Sequence, residues 1–332
     1  MLMQLTGRTI VMHRISAAAI FVALTALLPH AASAQSQAPL RLVVPFSAGG
    51  GTDVLARLIA AELTGRIKQN VVVVNQTGAN GFIATQAVHN APPDGNTLLV
   101  ANVNQVIFPA VKRDLPFHVI DGFEPVTMLA AGPLVISASP KFPHKTVPEL
   151  IAAAKKEPGK ISYASSGGIG NISHLAGELL NTLAQIQMVH VPYRGGAPAI
   201  TDVIAGVVPF TIATIASALP YYESKHLIPI AQTPKKRMSI SSNIPTIAEQ
   251  TGLDYDLTFW VGFIAPPKTP ADRVAYLQKE IAAAAATPKV QEAIKVQGFE
   301  PRPGTSAEFT LQMRSEMKQW VDVAKAANVV PE

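Results

Sequence analysis

Short apolar runs rich in Val and Ile alternate along this chain with segments whose apolar residues recur every three or four positions. The short runs predict eight strands, at residues 40–44, 71–74, 97–101, 134–138, 161–164, 188–191, 208–212 and 227–231. The periodic segments between them predict amphipathic helices. This alternation is typical of an α/β protein with parallel sheets and differs from the pattern of a β-sandwich or a helical bundle.

Capping residues mark where several of these helices begin. Thr52 is a suitable N-cap for the first helix, with Asp53 in the first turn, where a carboxylate complements the helix dipole. Thr146 and Glu149 have the spacing of a capping box and start a second helix. Three further start signals lie near the C-terminus, at Thr269-Pro270, at Thr287-Pro288, and at Thr305 with Glu308. We therefore expect a helical C-terminal region.

Two extended apolar runs closed by proline, at residues 123–140 and 257–266, have a similar character. Two such segments suit a chain that leaves one α/β domain, builds a second and then returns to the first. The chain has 332 residues, which is enough for two cores. We predict one domain formed by residues 35–136 and 250–332, and another formed by residues 137–249.

The first 34 residues have the features of a cleaved signal peptide. Arg8 and Arg14 form a basic start, an apolar run covers residues 15–28, and Ala32-Ser33-Ala34 is a small-residue cleavage site. The apolar run is shorter than the roughly 20 residues of a spanning helix. An uncleaved membrane anchor is the alternative, and the cleaved signal is favoured because a proline and the cleavage site follow the run at once.

Composition excludes several kinds of chemistry. The chain has no cysteine, which rules out disulfides, thiolate metal sites, iron–sulfur clusters, a cysteine nucleophile and acylation as a lipoprotein. Without the signal, 298 residues would carry 25 basic and 22 acidic side chains, a formal charge of +3. The basic residues are scattered apart from Lys235-Lys236-Arg237, and none alternates with aromatics as in a nucleic-acid platform. We expect a soluble, exported protein that binds no nucleic acid.

Glycine-rich loops follow several predicted strands, at the positions where ligands of α/β proteins bind. These loops are residues 45–53 (Pro-Phe-Ser-Ala-Gly-Gly-Gly-Thr-Asp), 75–81 (Asn-Gln-Thr-Gly-Ala-Asn-Gly) and 165–174 (Ser-Ser-Gly-Gly-Ile-Gly-Asn-Ile-Ser-His). Glycine lets backbone amides approach a ligand, and a helix N-terminus favours an anion. One such loop is as consistent with a tight turn as with a ligand site, whereas three together predict an anion cradle.

Two arrangements in the third loop imitate catalytic sites. His174 and Glu178 are four residues apart, as in a metal pair or an acid–base dyad, but the chain has no H-E-x-x-H motif and no third ligand nearby. A structural histidine is therefore favoured. Ser165 or Ser166 with His174 would suit a hydrolase, but the G-x-S-x-G nucleophile elbow is absent from the chain.

A fourth loop, residues 190–198, contributes Tyr193 and Arg194. Tyr193 can donate a hydrogen bond to a ligand oxygen, and Arg194 either neutralises a carboxylate or is a solvated residue at the rim. Phe46 and Trp260 are candidate walls of a pocket and are equally good candidates for core aromatics.

Seven motifs, in order, give the chain its resemblance to the substrate-binding receptors of tripartite tricarboxylate transporters, the Bug-type periplasmic proteins. They are Pro45-Phe46 with Gly49-Gly50 and Asp53; Asn75 with Gly78-Ala79 and Gly81; Pro93-Asp94-Gly95 with Thr97-Leu98; Tyr163 with Ser165, Gly167 and His174-Leu175; His190-Val191-Pro192-Tyr193 with Gly195, Pro198-Ala199 and Asp202; Pro245-Thr246 with Glu249; and Trp260 with Ala265-Pro266 and Thr269-Pro270. The resemblance covers nearly all of the chain after the signal. Ala48, where the family usually has proline, and Asn80, where glycine is common, depart from it at positions that bear on the ligand.

The resemblance implies an α/β, two-domain Venus flytrap of type II-like architecture, with a ligand cleft between the domains. It also implies that one carboxylate is held mainly by backbone amides and ordered waters of the first two glycine loops, rather than by an arginine. The ligand-binding residues that follow are Phe46, Ser47, Ala48, Gly49, Gly50, Asp53, Gly78, Ala79, Asn80, Asn102, Ser165, Ser166, Gly170, His174, Tyr193, Gly195 and Trp260. No catalytic residue, metal or cofactor is expected.

The implied function is that of a monomeric, non-enzymatic periplasmic receptor that captures a small carboxylate and delivers it to the membrane subunits of a transporter. Di- and tricarboxylates, amino acids and aromatic acids are all open as ligands. Two other functions stay open. One is an α/β hydrolase that uses a Ser, His or Asp of the same cleft, and the other is a ligand receptor for a sensor kinase.

Overall fold

The computed structural model describes residues 38–329 and 331. All eight predicted strands are present within two residues of their expected bounds. The predicted signal peptide, residues 1–34, lies outside the described residues. Within the described part of the chain, no helix has the length and apolar character that a bilayer crossing requires.

The strands form two sheets. In chain order they are β1 (Leu40–Val44), β2 (Val71–Asn75), β3 (Thr97–Asn102), β4 (Glu124–Gly132), β5 (Leu134–Ala138), β6 (Ser162–Ser165), β7 (Val189–Pro192), β8 (Phe210–Thr214), β9 (Ile228–Gln232), β10 (Phe259–Ala265) and β11 (Glu300–Pro301). Three of these, β4, β10 and β11, were not predicted as strands.

Helices connect and cover the strands. In chain order they are α1 (Gly51–Ile67), α2 (Phe82–His89), α3 (Asn104–Val111), α4 (Val147–Lys156), α5 (Ile172–Ala184), α6 (Gly196–Ala205), α7 (Ile215–Ala218), α8 (Pro220–Glu223), α9 (Ile247–Thr251), α10 (Ala271–Ala285), α11 (Pro288–Val296) and α12 (Ser306–Ala326). Short 3₁₀ turns cover Ala79–Gly81 and Ser239–Ser241.

The first sheet has the strand order β11-β4-β10-β3-β1-β2, and the second has the order β7-β6-β8-β5-β9. β1 is parallel to β2 and β3, and β6 is parallel to β7 and β8, as the βαβ pattern predicts. β10 is antiparallel to β3 and β4, and β5 is antiparallel to β8 and β9. Both sheets are therefore mixed, and the prediction of parallel sheets is wrong for these strands.

The antiparallel strands are those that carry the chain between the two sheets. β4 belongs to the first sheet and β5 to the second, with Pro133 alone between them. The chain returns from β9 through α9 to β10, which lies between β3 and β4. A strand that arrives from the other sheet does not follow a crossover helix of its own sheet, so the rule that makes βαβ strands parallel does not apply to it.

The capping predictions are confirmed at most helices and corrected at two. Thr146 and Thr305 form capping boxes with Glu149 and Glu308, and the Thr287 side chain caps α11. α1 instead begins at Gly51 after an N-cap at Gly50 that has no side chain to offer, so Thr52 is its second residue. α10 begins after Pro270, because the Thr269 hydroxyl donates to the Pro266 carbonyl and does not cap the helix.

The core of the first sheet lies between its strands and α1, α10 and α12. Leu55, Ile59 and Leu63, which share one face of α1, are fully buried, as the apolar spacing predicts. Trp260 on β10 is also fully buried, with its ring edge-on to Phe309 of α12 at a centroid separation of 5.1 Å. Burying a large apolar side chain of this kind stabilises the fold by roughly 1.5–3 kcal/mol.

Candidate functional site

The loops that follow β1, β2, β6 and β7 meet at a cleft between the two sheets. Together they line a cavity of about 1080 Å³, which we call the outer compartment. Its walls include Phe46, Ser47, Gly50, Thr77, Gly78, Ala79, Asn80, Ser166, Gly167, Asn171, Tyr193, Arg194 and Gly195. The sequence predicted that these loops belong to one site, and the fold places them there because they all leave the carboxyl ends of their strands.

A second cavity of about 350 Å³, the inner compartment, shares Phe46, Gly50, Ser166 and Asn171 with the outer one. Its remaining walls come from both sheets and include Gly49, Thr52, Asn102, Asn104, Thr214, Ser217, Phe259, Gln297 and Phe299. The inner compartment lies near the lower end, and the outer one near the upper end, of the volumes that small-molecule sites occupy, about 300–1,000 Å³.

Asp53 braces the first glycine loop from behind. Its carboxylate is 1% exposed, accepts the Gly49 N–H at 2.9 Å, and forms a bidentate pair with Arg57 at 2.9 and 3.0 Å. The Asn75 amide donates to the same carboxylate at 2.8 Å and to the Phe46 carbonyl at 3.0 Å. Burial alone would raise the pKa of Asp53, but these hydrogen bonds hold it below its usual value. Asp53 is therefore an ionised scaffold and not a wall of the cleft.

The second glycine loop has an unusual backbone. Gly78, Ala79, Asn80 and Gly81 all have positive φ, at 131°, 47°, 54° and 99°. The φ of 131° at Gly78 is one that residues with a side chain rarely adopt, so glycine is strongly favoured at this position. The left-handed run turns the loop sharply, and it places Thr77 to Gly81 along the outer compartment.

In the third loop, Ser165 and Ser166 have different surroundings. Ser166 lines both compartments, and its hydroxyl lies 2.7 Å from that of Ser173. Ser165 is fully buried; its hydroxyl donates to the Gly167 carbonyl and lies 2.7 Å from His190 Nε2. Because the Ser165 proton is used by Gly167, His190 Nε2 must be the donor to Ser165. This pair therefore fixes the loop and has no free base to activate the serine.

His174 lies behind the same loop and does not line either compartment. It is 7% exposed; its Nδ1 accepts the Gly170 N–H at 3.1 Å, and its ring stacks on His190 at 4.1 Å. Burial lowers the pKa of His174 to about 4. Burial, with a smaller contribution from His174, lowers the pKa of His190 to about 4. The prediction of a structural histidine agrees with these contacts, because two stacked neutral imidazoles hold the loop.

Tyr193, in the fourth loop, lines the outer compartment, but its hydroxyl donates to Asp202 at 2.7 Å. Partial burial, followed by this bond, raises the pKa of Tyr193 to about 12. The Tyr193 side chain therefore lines the compartment, but its hydroxyl is already used in the hydrogen bond to Asp202. Arg194 lines the mouth of the same compartment and is exposed. It is the one charged side chain among the described residues that line either compartment.

Several predicted site residues lie outside the compartment walls. Trp260 is in the core, and its indole N–H donates to Glu316 at 2.6 Å. Gly170 packs against Val111 of α3, where a Cβ would approach within 2.8 Å. Ala48 is exposed in the first loop and is absent from both walls.

The fold brings to the inner compartment residues that the sequence pattern did not indicate, above all Asn104, Phe259 and Phe299. Asn104 could have been found, because it follows the third strand two residues after Asn102, where the strand-end rule already applied. Phe259 and Phe299 carried no such signal, since their place depends on the return of the chain from the second sheet. Within residues 38–329, no group of three or more His, Asp or Glu side chains has a geometry suited to a metal ion.

Comparison with known proteins identifies the family. The model of the tripartite tricarboxylate transporter family receptor (TctC) matches residues 55–329. The chain therefore belongs to this receptor family, which makes it a solute-binding receptor and not an enzyme.

Solved structures agree with this assignment. The structure titled "R. palustris Rpa4515 with adipate" has a TM-score of 0.80 and 32% identity, covering 89% of this chain and 98% of its own. The periplasmic binding protein BugD has a TM-score of 0.77 and 31% identity, with coverage of 89% and 99%. MatC from Rhodopseudomonas palustris with bound malate has a TM-score of 0.76 and 28% identity, with coverage of 86% and 98%. The predicted two-domain flytrap fold and the periplasmic location are confirmed.

Proposed function

We propose that this receptor captures a small carboxylate in the cleft and delivers it to the membrane subunits of a tripartite tricarboxylate-type transporter. The observation that carries the proposal is a set of unused backbone donors. In the described part of the chain, the N–H groups of Ser47, Thr77 and Gly78 make no hydrogen bond, and all three residues line the outer compartment. Unused amides on a cleft wall favour an acceptor, and a carboxylate oxygen is the strongest common one.

Helix geometry supports an anion where the two compartments meet, because Gly50, the N-cap of α1, lines both of them. α1 begins at Gly51, within the first glycine loop. The N–H groups of its first turn point out of the N-terminal end of the helix. The positive end of the helix dipole adds to the attraction for a negative charge. Ordered waters would complete the coordination, as the resemblance implies. The carboxylates named with two related structures, adipate and malate, agree with this chemistry.

We assign two roles to the predicted site residues. Those that touch the ligand are on the compartment walls: Phe46, Ser47, Gly49, Gly50, Gly78, Ala79, Asn80, Asn102, Ser166, Tyr193 and Gly195. Asp53, Ser165 and His174 hold the loops in position from behind. Ala48, Gly170 and Trp260 have no contact role in this assignment.

The proposed function also includes the limits of the two domains and a closure of the cleft between them. The chain changes sheet at Pro133 and again between Gln232 and Phe259. We place the hinge at these two crossings, close to the predicted limits at residues 136/137 and 249/250. A ligand that touches loops from both sheets would favour the closed state over the open one, and this difference would be the signal read by the membrane partner.

The first experiment measures thermal unfolding of residues 35–332 with adipate, malate, benzoate and their neutral amides. A ligand that binds only the folded state raises the unfolding temperature. We expect a shift with at least one acid and none with its amide, because the amide lacks the charge. Equal shifts with an acid and its amide, or no shift with any acid, would contradict the proposed carboxylate site.

Delivery is tested in cells that lack the gene for this chain. Uptake of the labelled acid that binds should fall and should return with the intact gene. Binding without any change in uptake would favour the alternative role, a ligand receptor for a sensor kinase.

A further inference from the structure

One side of the inner compartment is aromatic. Phe259 is the first residue of β10 and Phe299 directly precedes β11, and the two are 8% and 2% exposed. Their ring centroids are 5.9 Å apart at an interplanar angle of 47°. Phe46 contributes a third ring at the boundary with the outer compartment. A flat apolar group placed here would pack against ring faces and edges, as aromatic pairs prefer.

Other walls of this compartment are polar but neutral. They include Ser166, Thr214 and Ser217, and the Thr214 and Ser217 hydroxyls lie 3.1 Å apart. No Asp, Glu, Lys, Arg or His is among the described residues that line this compartment. A second carboxylate or an ammonium group would find no side-chain counter-ion here, and the α1 N-terminus at Gly51 and Thr52 is already matched by the first carboxylate, so burying a second charge is unfavourable. A neutral ligand body avoids that penalty.

Asn104 gives the inner compartment a preference for a ligand that carries a hydrogen-bond donor. It is 3% exposed, lines the inner compartment, and its Oδ1 has no hydrogen-bond partner within the described residues. Its backbone N–H donates to Asn102 Oδ1 at 2.9 Å, and its Nδ2 lies 3.5 Å from the Asn80 carbonyl. A buried acceptor without a donor destabilises the site until something donates to it. The Oδ1 atom has almost no accessible surface, so a ligand hydroxyl donates to it only when the amide turns toward the compartment, whereas an ionised carboxylate would be repelled.

We propose that the ligand is an aromatic monocarboxylate, with its carboxylate on the amide loops and its ring in the inner compartment. A ring hydroxyl directed at Asn104 strengthens binding. This inference rests on the proposed function, because it assumes that the carboxylate occupies the outer compartment. It separates this chain from a receptor for flexible aliphatic dicarboxylates, which would bring a second charge into a compartment lined by neutral groups.

The test is calorimetric titration of residues 35–332 with benzoate, 3-hydroxybenzoate, 4-hydroxybenzoate, adipate and malate. We expect at least one aromatic acid to bind about tenfold or more tightly than either dicarboxylate. One of the hydroxylated acids should bind more tightly than benzoate in the parent chain, and this advantage should disappear in Asn104→Ala.

Variants of the aromatic wall locate the ring. Phe46→Leu and Phe299→Leu should each weaken aromatic binding about threefold to tenfold. Phe46 is only partly buried, so its variant is expected to fold even if Phe299→Leu does not. Phe142→Leu is the matched control, because Phe142 is buried in the second sheet's half and lines neither compartment.

The outcomes distinguish the inference of an aromatic ligand from the proposed function as a carboxylate receptor. Tighter binding of adipate or malate than of every aromatic acid would overturn this inference and leave the proposed carboxylate receptor standing. Equal loss of aromatic binding in the control and in the wall variants would also overturn it. Failure of all five acids to bind a folded chain would overturn the proposed function together with the inference.

Discussion

The carboxylate of Asp53 is almost fully buried, yet it is surrounded by donors from Gly49, Arg57 and Asn75. The sequence pattern explained this residue by the helix dipole, since it stands in the first turn of α1, and the family resemblance placed it among the ligand-binding residues. The pattern contains no sign of the Asn75 contact, because Asn75 ends a different strand and reaches Asp53 only after β1 and β2 pair. The residue therefore joins the first two ligand loops into one rigid unit.

Replacing Asp53 with asparagine tests this bracing role. The variant keeps the size of the side chain but loses the charge and mismatches the three donors, so the free energy of unfolding should fall by about 1–3 kcal/mol. Carboxylate affinity should fall about tenfold, because the loop amides lose their fixed positions. Urea unfolding and calorimetric titration measure the two effects.

The matched control is Asp272→Asn, since Asp272 is exposed in the first turn of α10 and also complements a helix dipole. In Asp272→Asn, the free energy of unfolding should fall by only about 0.3–1 kcal/mol, and carboxylate affinity should not change. Similar losses in both variants would mean that Asp53 acts through the dipole alone.

The stacked His174 and His190 make stability depend on pH. Burial lowers both pKa values from 6.5 to about 4, so between these pH values the unfolded chain binds more protons than the folded one. Stability from this pair is therefore complete above pH 6.5 and is lost as the pH falls toward 4. The loss is on the order of 2–3 kcal/mol for the buried His174 and smaller for His190, which is only partly buried.

Urea unfolding of His174→Gln across the same pH range should show a shallower dependence than the parent chain. His226→Gln is the control, because the His226 side chain is exposed. If both variants kept the pH dependence of stability seen in the parent chain, His174 and His190 would not be the cause of that dependence.

Among the elements, α12 places a partly buried carboxyl group against the core of the first sheet. Glu316 accepts the Trp260 indole N–H at 2.6 Å and the Gln312 amide at 2.8 Å. Burial raises the pKa of Glu316 to about 7, and the hydrogen bonds from Trp260 and Gln312 only partly oppose that shift. The capping box at Thr305 made the start of this helix predictable, but the pattern gave no hint of its polar contact with β10.

Glu316→Gln should stabilise the protein at alkaline pH. A raised pKa means that the folded state binds the extra proton, so stability from Glu316 is present below pH 4.5 and is lost as the pH rises through about 7. The neutral variant avoids the buried charge and should gain about 1–2 kcal/mol above that pH. This trend is opposite in sign to that of the histidines.

Urea unfolding of the parent and the variant above and below pH 7 measures the gain. Glu292→Gln, at an exposed position of α11, is the control and should change little. A variant less stable than the parent at high pH would show that the charged form is favoured in the fold.

On the scale of the whole molecule, the sequence predicted the alternation of strands and helices, and with it the loops that line the outer compartment. It did not predict the inner compartment. That cavity exists because the chain returns to the first sheet at β10, which brings Phe259 and Phe299 into one cavity with Thr214 and Ser217. Periodicity reports which residues are buried along one element, but it contains no information about which elements from two sheets face each other.

The approach of the two halves is visible at Gly170. This residue of the third loop packs against Val111 of α3, and the neighbouring Ile169 carbonyl lies 3.4 Å from the Asn80 amide. Its φ is +76°, and an added Cβ would lie 2.8 Å from Val111 Cγ1. Gly170→Ala should therefore hold the halves apart and weaken carboxylate binding about tenfold.

Gly159→Ala separates this effect from backbone strain. Gly159 has a similar φ of +74°, but nothing lies within 4 Å of an added Cβ. Both variants carry the strain of a left-handed alanine, about 1–2 kcal/mol, whereas only Gly170→Ala meets the opposite half. Calorimetry should show reduced affinity in Gly170→Ala alone, and small-angle scattering with saturating ligand should show a larger radius of gyration for it. Equal affinities in the two variants would mean that the contact at Gly170 does not limit closure.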